Sequence, residues 1–391
     1  MTACIASADG QIRDVRSKNF LLHTDLGEED ARDLLERMET MLGIISKYWR
    51  APNRNPIECY VADDVKKWPA SALTPQLRDI VSNRGITMAS GVQRGRQVRM
   101  TAKVFASNQY GTPLHEAVHA YCFQTFGTTG PVWYSEGMAE MGNFWKDGTG
   151  AVNAPGYVIQ YLRQAERTPI KTITEPGQKT GDGWRFYAWR WALCHFLANN
   201  KNYRERFRVL GNNLLQRRSA SFDRTFRSNM PELEFEFEFF MKHLRTGLDA
   251  ERMSWDWTVR AKELAAGKTV KQELEADRGW QPLRLKAEAR DRFILTLEGS
   301  WQVVEGEDVD PATAEGPGSL VAAVYSDHTL SEEFRIRPGE EFSFPSDGQL
   351  VLRCKDEWHS ISDNSGIVKI TVTPAAEETC LLYTSPSPRD S

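Results

Sequence analysis

Residues 115 to 141, HEAVHAYCFQTFGTTGPVWYSEGMAEM, contain the residue types of a hydrolytic metal site. His115 and His119 are four residues apart, so in a helix their rings lie on one face and can bind one zinc ion. Glu116 lies beside them and is not needed as a ligand, so it can act as the general base toward a metal-bound water. The spacing therefore predicts hydrolysis by a metal-activated water.

A catalytic zinc ion needs a third protein ligand as well as an open coordination position. After the turn FGTTG, the segment PVWYSEGMAEM can form a second helix that supplies this ligand, and we expect it to be Glu136. Glu140 lies one helical turn further along and is the alternative ligand. It is better suited to orienting a histidine ring from the second shell of the site.

The same pattern has two other interpretations. In the first, the histidines and Glu136 belong to ordinary helices and bind no ion. The apolar neighbours Ala117 and Val118 argue against this, because burying three polar residues among such side chains without a shared ion is costly. In the second, the chain is a catalytically inactive protein that keeps the motif.

The HExxH pattern followed by WxxEGxAE resembles the gluzincin metallopeptidases, in particular the bacterial peptidase MA-like and DUF1570-type domains. The resemblance covers about residues 15 to 245. It implies a zinc cofactor, a peptide or protein substrate and a zincin-like α+β domain that is mainly helical around the site. Sixteen residues separate His119 from Glu136, fewer than in thermolysin-like gluzincins, so the choice between Glu136 and Glu140 stays open.

Hydrolysis also requires a hydrogen-bond donor for the developing oxyanion. Because relatives of this family often carry a tyrosine at the start of the corresponding helix, Tyr187 in GDGWRFYAWRWALCHFLANN is the leading candidate. Tyr134, next to the EG motif, is the second candidate. The helical spacing of Trp184, Tyr187, Trp191 and His195 also fits a packed core, and we expect His195 to be structural.

The surrounding elements predict a mixed α/β first half. Segments 19–24 and 57–62 are typical of strands, and VRMTAKVFA is a candidate edge strand just before the histidine helix. Between the first two, Ala31, Leu34, Leu35, Met38, Met41 and Leu42 follow helical spacing. Residues 155–215 and 231–265 are predicted to be mostly helical. The segment ELEFEFEFFMKHL alternates like a strand, but its length and context favour a helix.

From Trp280 onward the pattern changes to short alternating runs, such as RFILTLEG and QLVLRC, separated by turn residues. This spacing is typical of an all-β sandwich or barrel. The predicted organisation is a zincin-like domain over 1–265, a linker over 266–280, a lectin-like β-sandwich over 281–376 and a tail over 377–391.

The segment KDEWHSISDNSG carries a second group of ligand types. Asp356, Asp363 and Asn364 offer hard oxygen ligands within one loop, as calcium requires, and Gly366 allows a tight return into the next strand. A polar turn on a purely structural sandwich is the alternative.

The stretch LRCKDEWHSISDNSGIVKITV is similar to the calcium-dependent galactophilic bacterial lectins of the galactose-binding-like type, over about residues 281 to 373. The resemblance implies a calcium ion and a galactose-like carbohydrate as partner. The implied ligands are the side chains of Asp356, Asp363 and Asn364 and the carbonyl groups of Ser360 and Val304. Those lectins often have Asn-Asn where this chain has Asp363 and Asn364.

Composition narrows the classes of partner. The net charge of −4 and the isoelectric point near 6.1 do not favour nucleic acid. No apolar run approaches the ~20 residues of a membrane-spanning helix. The six cysteines form no CxxC pair, which argues against a thiolate metal site and a dense disulfide framework.

The two ends give little on localisation. MTACIASADG lacks the basic and apolar regions of an export signal. The end of the chain, CLLYTSPSPRDS, resembles translated adapter sequence, and a genuine disordered tail is the alternative. By analogy with the lectin-like part, we expect the protein outside the cytoplasm or secreted.

Two functions follow from these observations. The first is a zinc-dependent peptidase, targeted to glycosylated surfaces by a calcium-dependent carbohydrate-binding module. The alternative is a carbohydrate-binding or surface-attachment protein with a vestigial zinc domain.

Overall fold

The computed structural model describes residues 12–94, 97–109, 111–146, 149–178, 183–264, 268–289 and 291–375. The chain divides into two compact units between Ser254 and Trp255. No helix in these ranges has both the length and the apolar character needed to cross a lipid bilayer.

A five-stranded sheet lies in the first unit, with strands β1 (Arg13–Arg16), β2 (Phe20–Thr24), β3 (Ile57–Ala62), β4 (Gly85–Arg94) and β5 (Gln97–Ser107). Their order in the sheet is β1-β2-β3-β5-β4. Strands β2, β3 and β5 are parallel, whereas β1 and β4 are antiparallel to their neighbours. Strand β4 is therefore an edge strand of this sheet.

The helices of the first unit follow and interleave with these strands. They are α1 (Glu28–Trp49), α2 (Pro75–Val81), α3 (Thr112–Phe126), α4 (Val132–Phe144), α5 (Gly156–Gln164), α6 (Ile170–Ile173), α7 (Trp184–Asn199), α8 (Arg204–Leu215), α9 (Phe222–Phe226) and α10 (Met230–Lys242).

Helix α1 shows how the apolar spacing produces the core. Acidic residues in its first turn and Lys47 in its last turn suit the helix dipole, and Arg50 closes it in a left-handed conformation. Its buried side includes every residue that the spacing predicted, namely Ala31, Leu34, Leu35, Met38, Met41 and Leu42.

The second unit is built from β-strands. They are β6 (Lys262–Glu263), β7 (Val270–Glu275), β8 (Gln281–Ala287), β9 (Arg292–Glu298), β10 (Trp301–Val304), β11 (Glu307–Val309), β12 (Leu320–Ser326), β13 (Thr329–Leu330), β14 (Phe334–Arg335), β15 (Glu341–Ser343), β16 (Gly348–Cys354) and β17 (Ser365–Pro374).

These strands form two six-stranded sheets. One has the order β11-β10-β17-β9-β15, with β7 also paired to β17, and the other has the order β13-β12-β16-β8-β6, with β14 paired to β12. Both sheets contribute to one hydrophobic cluster, for example through Leu295 and Ile370 from the first and Ala322 and Leu352 from the second. Two sheets sharing one core is the arrangement expected from the alternating pattern.

The mixed helix and sheet content predicted from the sequence is confirmed, with the helices before Ser254 and a β-rich second unit. The boundary differs from the predicted one. The proposed linker over 266–280 contains β7, which pairs with β17 from Val270 to Glu275, so these residues belong to the second unit. The predicted tail over 377–391 lies outside the described residues.

Candidate functional site

Glycine and proline residues lie at the ends of the two helices that carry the HExxH and EGMAE motifs. Helix α3 begins after Gly111 and ends at Gly127, both in the left-handed region with φ of 70° and 76°. Pro113 lies in its first turn, where its missing N–H costs nothing. Helix α4 begins directly after Pro131. The chain thus turns back within a few residues and packs the two motif helices together.

Three side chains from these helices converge. The Oε2 atom of Glu136 lies 3.2 Å from Nε2 of His115 and 3.4 Å from Nε2 of His119. The two Nε2 atoms are 3.1 Å apart. Across the described ranges, this trio is the one group of three or more His, Cys, Asp and Glu residues whose ligand atoms cluster in this way. Two imidazole nitrogens and one carboxylate oxygen form a donor set suited to zinc.

The other ring nitrogen of each histidine also has a partner. Nδ1 of His115 is 3.3 Å from Oε1 of Glu140, and Nδ1 of His119 is 3.3 Å from the Ser135 hydroxyl. A carboxylate at Nδ1 favours the tautomer with the proton there, which leaves the Nε2 lone pair directed at the trio. The geometry therefore groups a carboxylate oxygen of Glu136 with the two Nε2 atoms, and it places Glu140 at Nδ1 of His115.

The surroundings of the trio shift the pKa values of His115 and Glu136 in opposite directions. Burial alone lowers the pKa of His115, but the carboxylates of Glu140, Glu136 and Glu116 outweigh burial and raise it well above its ordinary value. Burial acts in the opposite direction on Glu136, where hydrogen bonds from His115 and His119 hold the pKa below its ordinary value. The position between these groups favours positive charge, whether a proton or a metal ion carries it.

Glu116 does not join the trio and is held by strand β4 instead. The Thr87 hydroxyl lies 2.8 Å from Oε2 of Glu116 and 2.8 Å from its carbonyl oxygen. Gly85 on the same strand makes room, because a Cβ there would lie 2.6 Å from Cγ of Glu116. A strand outside the motif therefore fixes where this carboxylate lies.

The glycine of EGMAE has a packing role. A Cβ on Gly137 would lie 2.5 Å from Sγ of Cys194 and 2.7 Å from the carbonyl oxygen of Arg190. Helix α7 consequently approaches α4 closely at the residue next to Glu136. Close backbone approach of this kind requires glycine.

The trio lies in a cleft of about 940 Å³. His115, His119, Glu136, Glu116 and Glu140 all line it, together with Thr87 on β4 and Tyr187 on α7. The ring of Tyr187 is stacked 5.9 Å from that of His115. The structure thus brings the predicted general base, ligands and tyrosine into one cavity.

The second tyrosine candidate is not in this cavity. Tyr134 is 1% exposed, and its hydroxyl accepts a hydrogen bond of 2.8 Å from the indole of Trp49. It packs in the core, because its position on α4 points away from the face that carries Glu136. The buried His195 packs against Trp191 and Phe240 in the same way.

The candidate calcium loop in the second unit has a different character. Asp356 is half-buried and Asp363 exposed, and the Ser360 carbonyl accepts a hydrogen bond of 3.1 Å from the Asp363 N–H. Val304 lies on β10, and β10 pairs with the start of β17 directly after the loop. Within the described residues, no hydrogen bond joins the side chains of two of the five predicted ligands.

Asn364 is the unusual member of this loop. Its side chain is 4% exposed, and Nδ2 donates a hydrogen bond of 3.3 Å to the Ala276 carbonyl. Its Oδ1 atom is buried without a hydrogen-bond partner among the described residues. A buried acceptor without a partner carries a free-energy cost unless water or an ion satisfies it.

No family model matches the chain, and no curated protein matches it. Twelve chains of solved structures match, among them one described as "EclA N-terminal domain; PllA-like lectin". That match has 17% identity, covers 27% of this chain and 96% of the other, and has a TM-score of 0.23. A score of this size establishes neither a shared fold nor a shared function.

Sequence reasoning does not identify several residues of the cleft. Thr87 and Gly85 are far from the motif in sequence, and nothing in their own segment indicates contact with Glu116. Ser135 and Asn143 could have been noticed, since they lie in or next to the motif. The Asn143 amide donates a hydrogen bond of 3.2 Å to Oε2 of Glu140, so it extends the set of contacts behind His115.

Proposed function

We propose that the first unit is a zinc-dependent peptidase. The observation that carries the proposal is the separation of roles around one cleft: three ligand atoms converge, while the Glu116 carboxylate is held apart by Thr87. Two helices with a purely structural role do not require three converging ligand atoms and a separate carboxylate in the same cleft. The donor set also fits zinc, because both histidines have a second partner that directs Nε2 toward Glu136.

His115, His119 and Glu136 would hold the ion, with Glu140 and Ser135 orienting the rings. Zinc at this place would supply a Lewis acid that polarises a substrate carbonyl and lowers the pKa of water. Glu116 takes the proton from the attacking water and returns it to the leaving amine. Tyr187 on α7, whose ring is stacked beside that of His115, donates a hydrogen bond to the developing oxyanion.

The position of β4 supports a peptide as the substrate. It is an edge strand, and its residues Gly85, Ile86 and Thr87 line the cleft beside Glu116. An extended peptide can add to such an edge through main-chain hydrogen bonds, which bind the peptide backbone independently of the peptide sequence. The scissile amide then lies close to the base and the trio.

The test compares two single substitutions in the full chain. Glu116→Gln is expected to lower hydrolysis of a fluorogenic peptide mixture by at least about 10³-fold, because it removes the base, while zinc content stays at the wild-type level. His119→Ala is expected to lose both activity and zinc. A Glu116→Gln variant with undiminished hydrolysis would sink the proposed mechanism.

For the second unit we propose calcium-dependent binding of a galactose-like carbohydrate. The specific observation is the buried Oδ1 atom of Asn364, which has no partner among the described residues, in a loop that also carries Asp356 and Asp363. These side chains and the Ser360 and Val304 carbonyls would hold the ion, and calcium accepts such all-oxygen sets.

Calorimetry of calcium binding tests this second function. Asn364→Ala should abolish calcium binding and retention on galactose resin, whereas Glu332→Ala, which removes an exposed acid elsewhere in the unit, should leave both unchanged. Retention on the resin in the presence of a chelator would show that calcium is not involved.

A further inference from the structure

Exposed aromatic side chains are concentrated on one wall of the cleft. Tyr157 on α5 and Trp184 on α7 line it and are 47% and 45% exposed. Large apolar side chains in contact with solvent are ordinary when scattered, but a group of them beside a cavity indicates recognition.

This aromatic wall is held in one arrangement by its own contacts. The rings of Tyr157 and Tyr161 meet the Trp184 indole edge to face, with centroids 5.4 Å and 5.1 Å away. The Arg185 guanidinium lies 5.9 Å from the Trp184 ring and 5.6 Å from the Tyr161 ring. An indole that is already fixed loses little conformational entropy when it takes up a ligand.

Another part of the cleft lining is polar. Asn83 and Arg84 line the cleft just before β4, and both are exposed. In the described ranges the Arg84 side chain makes no ion pair or hydrogen bond. The lining of the cleft of about 940 Å³ therefore includes the exposed rings of Tyr157 and Trp184, with the Arg185 guanidinium against the Trp184 ring, and Arg84 in a separate part.

We infer that this wall, formed by Tyr157, Trp184 and the stacked Arg185, is a subsite that selects an aromatic side chain of the peptide substrate. The Arg185 guanidinium beside these rings opposes lysine and arginine in the same position. It favours a group with a negative face, and the exposed rings of Tyr157 and Trp184 then favour an aromatic ring over a carboxylate. This inference rests on the proposed peptidase function, because it specifies what that cleft takes.

The test measures binding and hydrolysis separately. Binding uses the full chain with Glu116→Gln, loaded with zinc, and a labelled peptide series that differs at one position by Phe, Leu, Ala, Glu or Lys. Phe is expected to bind at least about tenfold more tightly than Ala, and Lys weakest. Hydrolysis of the same series by the unmodified chain gives the ratio of kcat/KM values.

Two variants locate the preference. Trp184→Ala should reduce the ratio of Phe to Ala binding to less than about threefold, and Trp184→Leu should reduce it partly. Met88→Ala is the matched control, because Met88 on β4 is 51% exposed and does not line the cleft. Circular dichroism confirms that each variant is folded.

The outcomes separate the two proposals. Hydrolysis without a preference for Phe, or a preference unchanged by Trp184→Ala, overturns the subsite and leaves the peptidase standing. Binding that favours Phe through Trp184 without any hydrolysis supports the subsite and removes the peptidase. Tighter binding of a free glycoside than of the Phe peptide would also overturn the inference.

Discussion

The trio in the first unit and the oxygen-rich loop in the second are both candidate ion sites, but they are constructed differently. The trio takes its candidate ligand atoms from two helices, and Glu140 and Ser135, both on α4, contact the other ring nitrogens of its histidines. The loop takes its side-chain ligands from Asp356 to Asn364 and leaves Oδ1 of Asn364 without a partner among the described residues. The side chains of the trio come from two helices packed together, whereas the candidate side chains of the loop lie within one segment of the chain.

The largest expected effect comes from removing a ligand. Glu136→Gln should lower the zinc affinity at least about 10³-fold, because the neutral amide replaces the one charged ligand atom of the trio. Glu140→Gln should lower it only about 10- to 100-fold, as partners of metal-bound histidines usually do. Competition with a chromogenic chelator measures both. Equal losses in the two variants would contradict the assignment of Glu136 as ligand and Glu140 as its support.

A substitution that touches no ligand tests whether packing holds the trio. Gly137→Ala should lower the free energy of unfolding by about 1–3 kcal/mol, since the added methyl group meets Cys194 and the Arg190 carbonyl. Gly43→Ala in α1 is the control, because nothing lies within 4 Å of its Cβ position, and it should be neutral or stabilising. Urea unfolding of both variants gives the comparison. Similar stabilities would mean that α4 and α7 adjust freely.

Much of this site can be predicted from sequence, but only where the signal is local. The spacing of His115, His119 and Glu136 is a property of two consecutive helices, so local spacing alone is enough to group the three residues. Helix α10 is a similar case, since ELEFEFEFF alternates like a strand yet forms the helix that its length and context favour.

The parts that local patterns do not reveal depend on long-range pairing. Thr87 reaches Glu116 across 29 residues of sequence, and no pattern within β4 indicates this contact. The same reason explains why the sequence predicts a linker where the structure has a strand. Nothing in VKQELE itself indicates that this segment pairs with β17, and this pairing makes it a strand. Tyr134 is a candidate for catalysis by its place beside the motif, whereas its buried contact with Trp49 decides its role.

The contact between β4 and the base predicts a moderate effect on rate. Thr87→Val should lower kcat about tenfold with little change in KM or zinc content, since it removes the hydroxyl that orients Glu116. Thr87→Ser keeps the hydroxyl and should restore most of the rate. If the serine variant were as slow as the valine variant, packing rather than the hydrogen bond would explain the loss.

A prediction that does not involve the cleft concerns stability in acid. Burial lowers the pKa of His195 from 6.5 to about 4, with a backbone hydrogen bond to Gly150 opposing it. The folded protein keeps this ring neutral while the unfolded chain protonates it, so stability is full above pH 6.5 and falls as the pH drops toward 4. The loss reaches up to about 3 kcal/mol.

His195→Gln should remove that part of the acid sensitivity. The measurement is urea unfolding of the wild type and the variant at several pH values between 7 and 4, with the difference between the two slopes as the readout. Parallel slopes would show that His195 does not titrate in this range.

The central claim is that His115, His119 and Glu136 form a zinc centre, and metal content tests it most directly. The full chain is purified without added metal, dialysed against trace zinc and analysed by plasma mass spectrometry, with His115→Ala treated in parallel. We predict about one zinc ion per chain in the wild type and essentially none in the variant. A wild-type chain that holds no zinc after this dialysis, or a His115→Ala chain that holds as much as the wild type, would contradict the account.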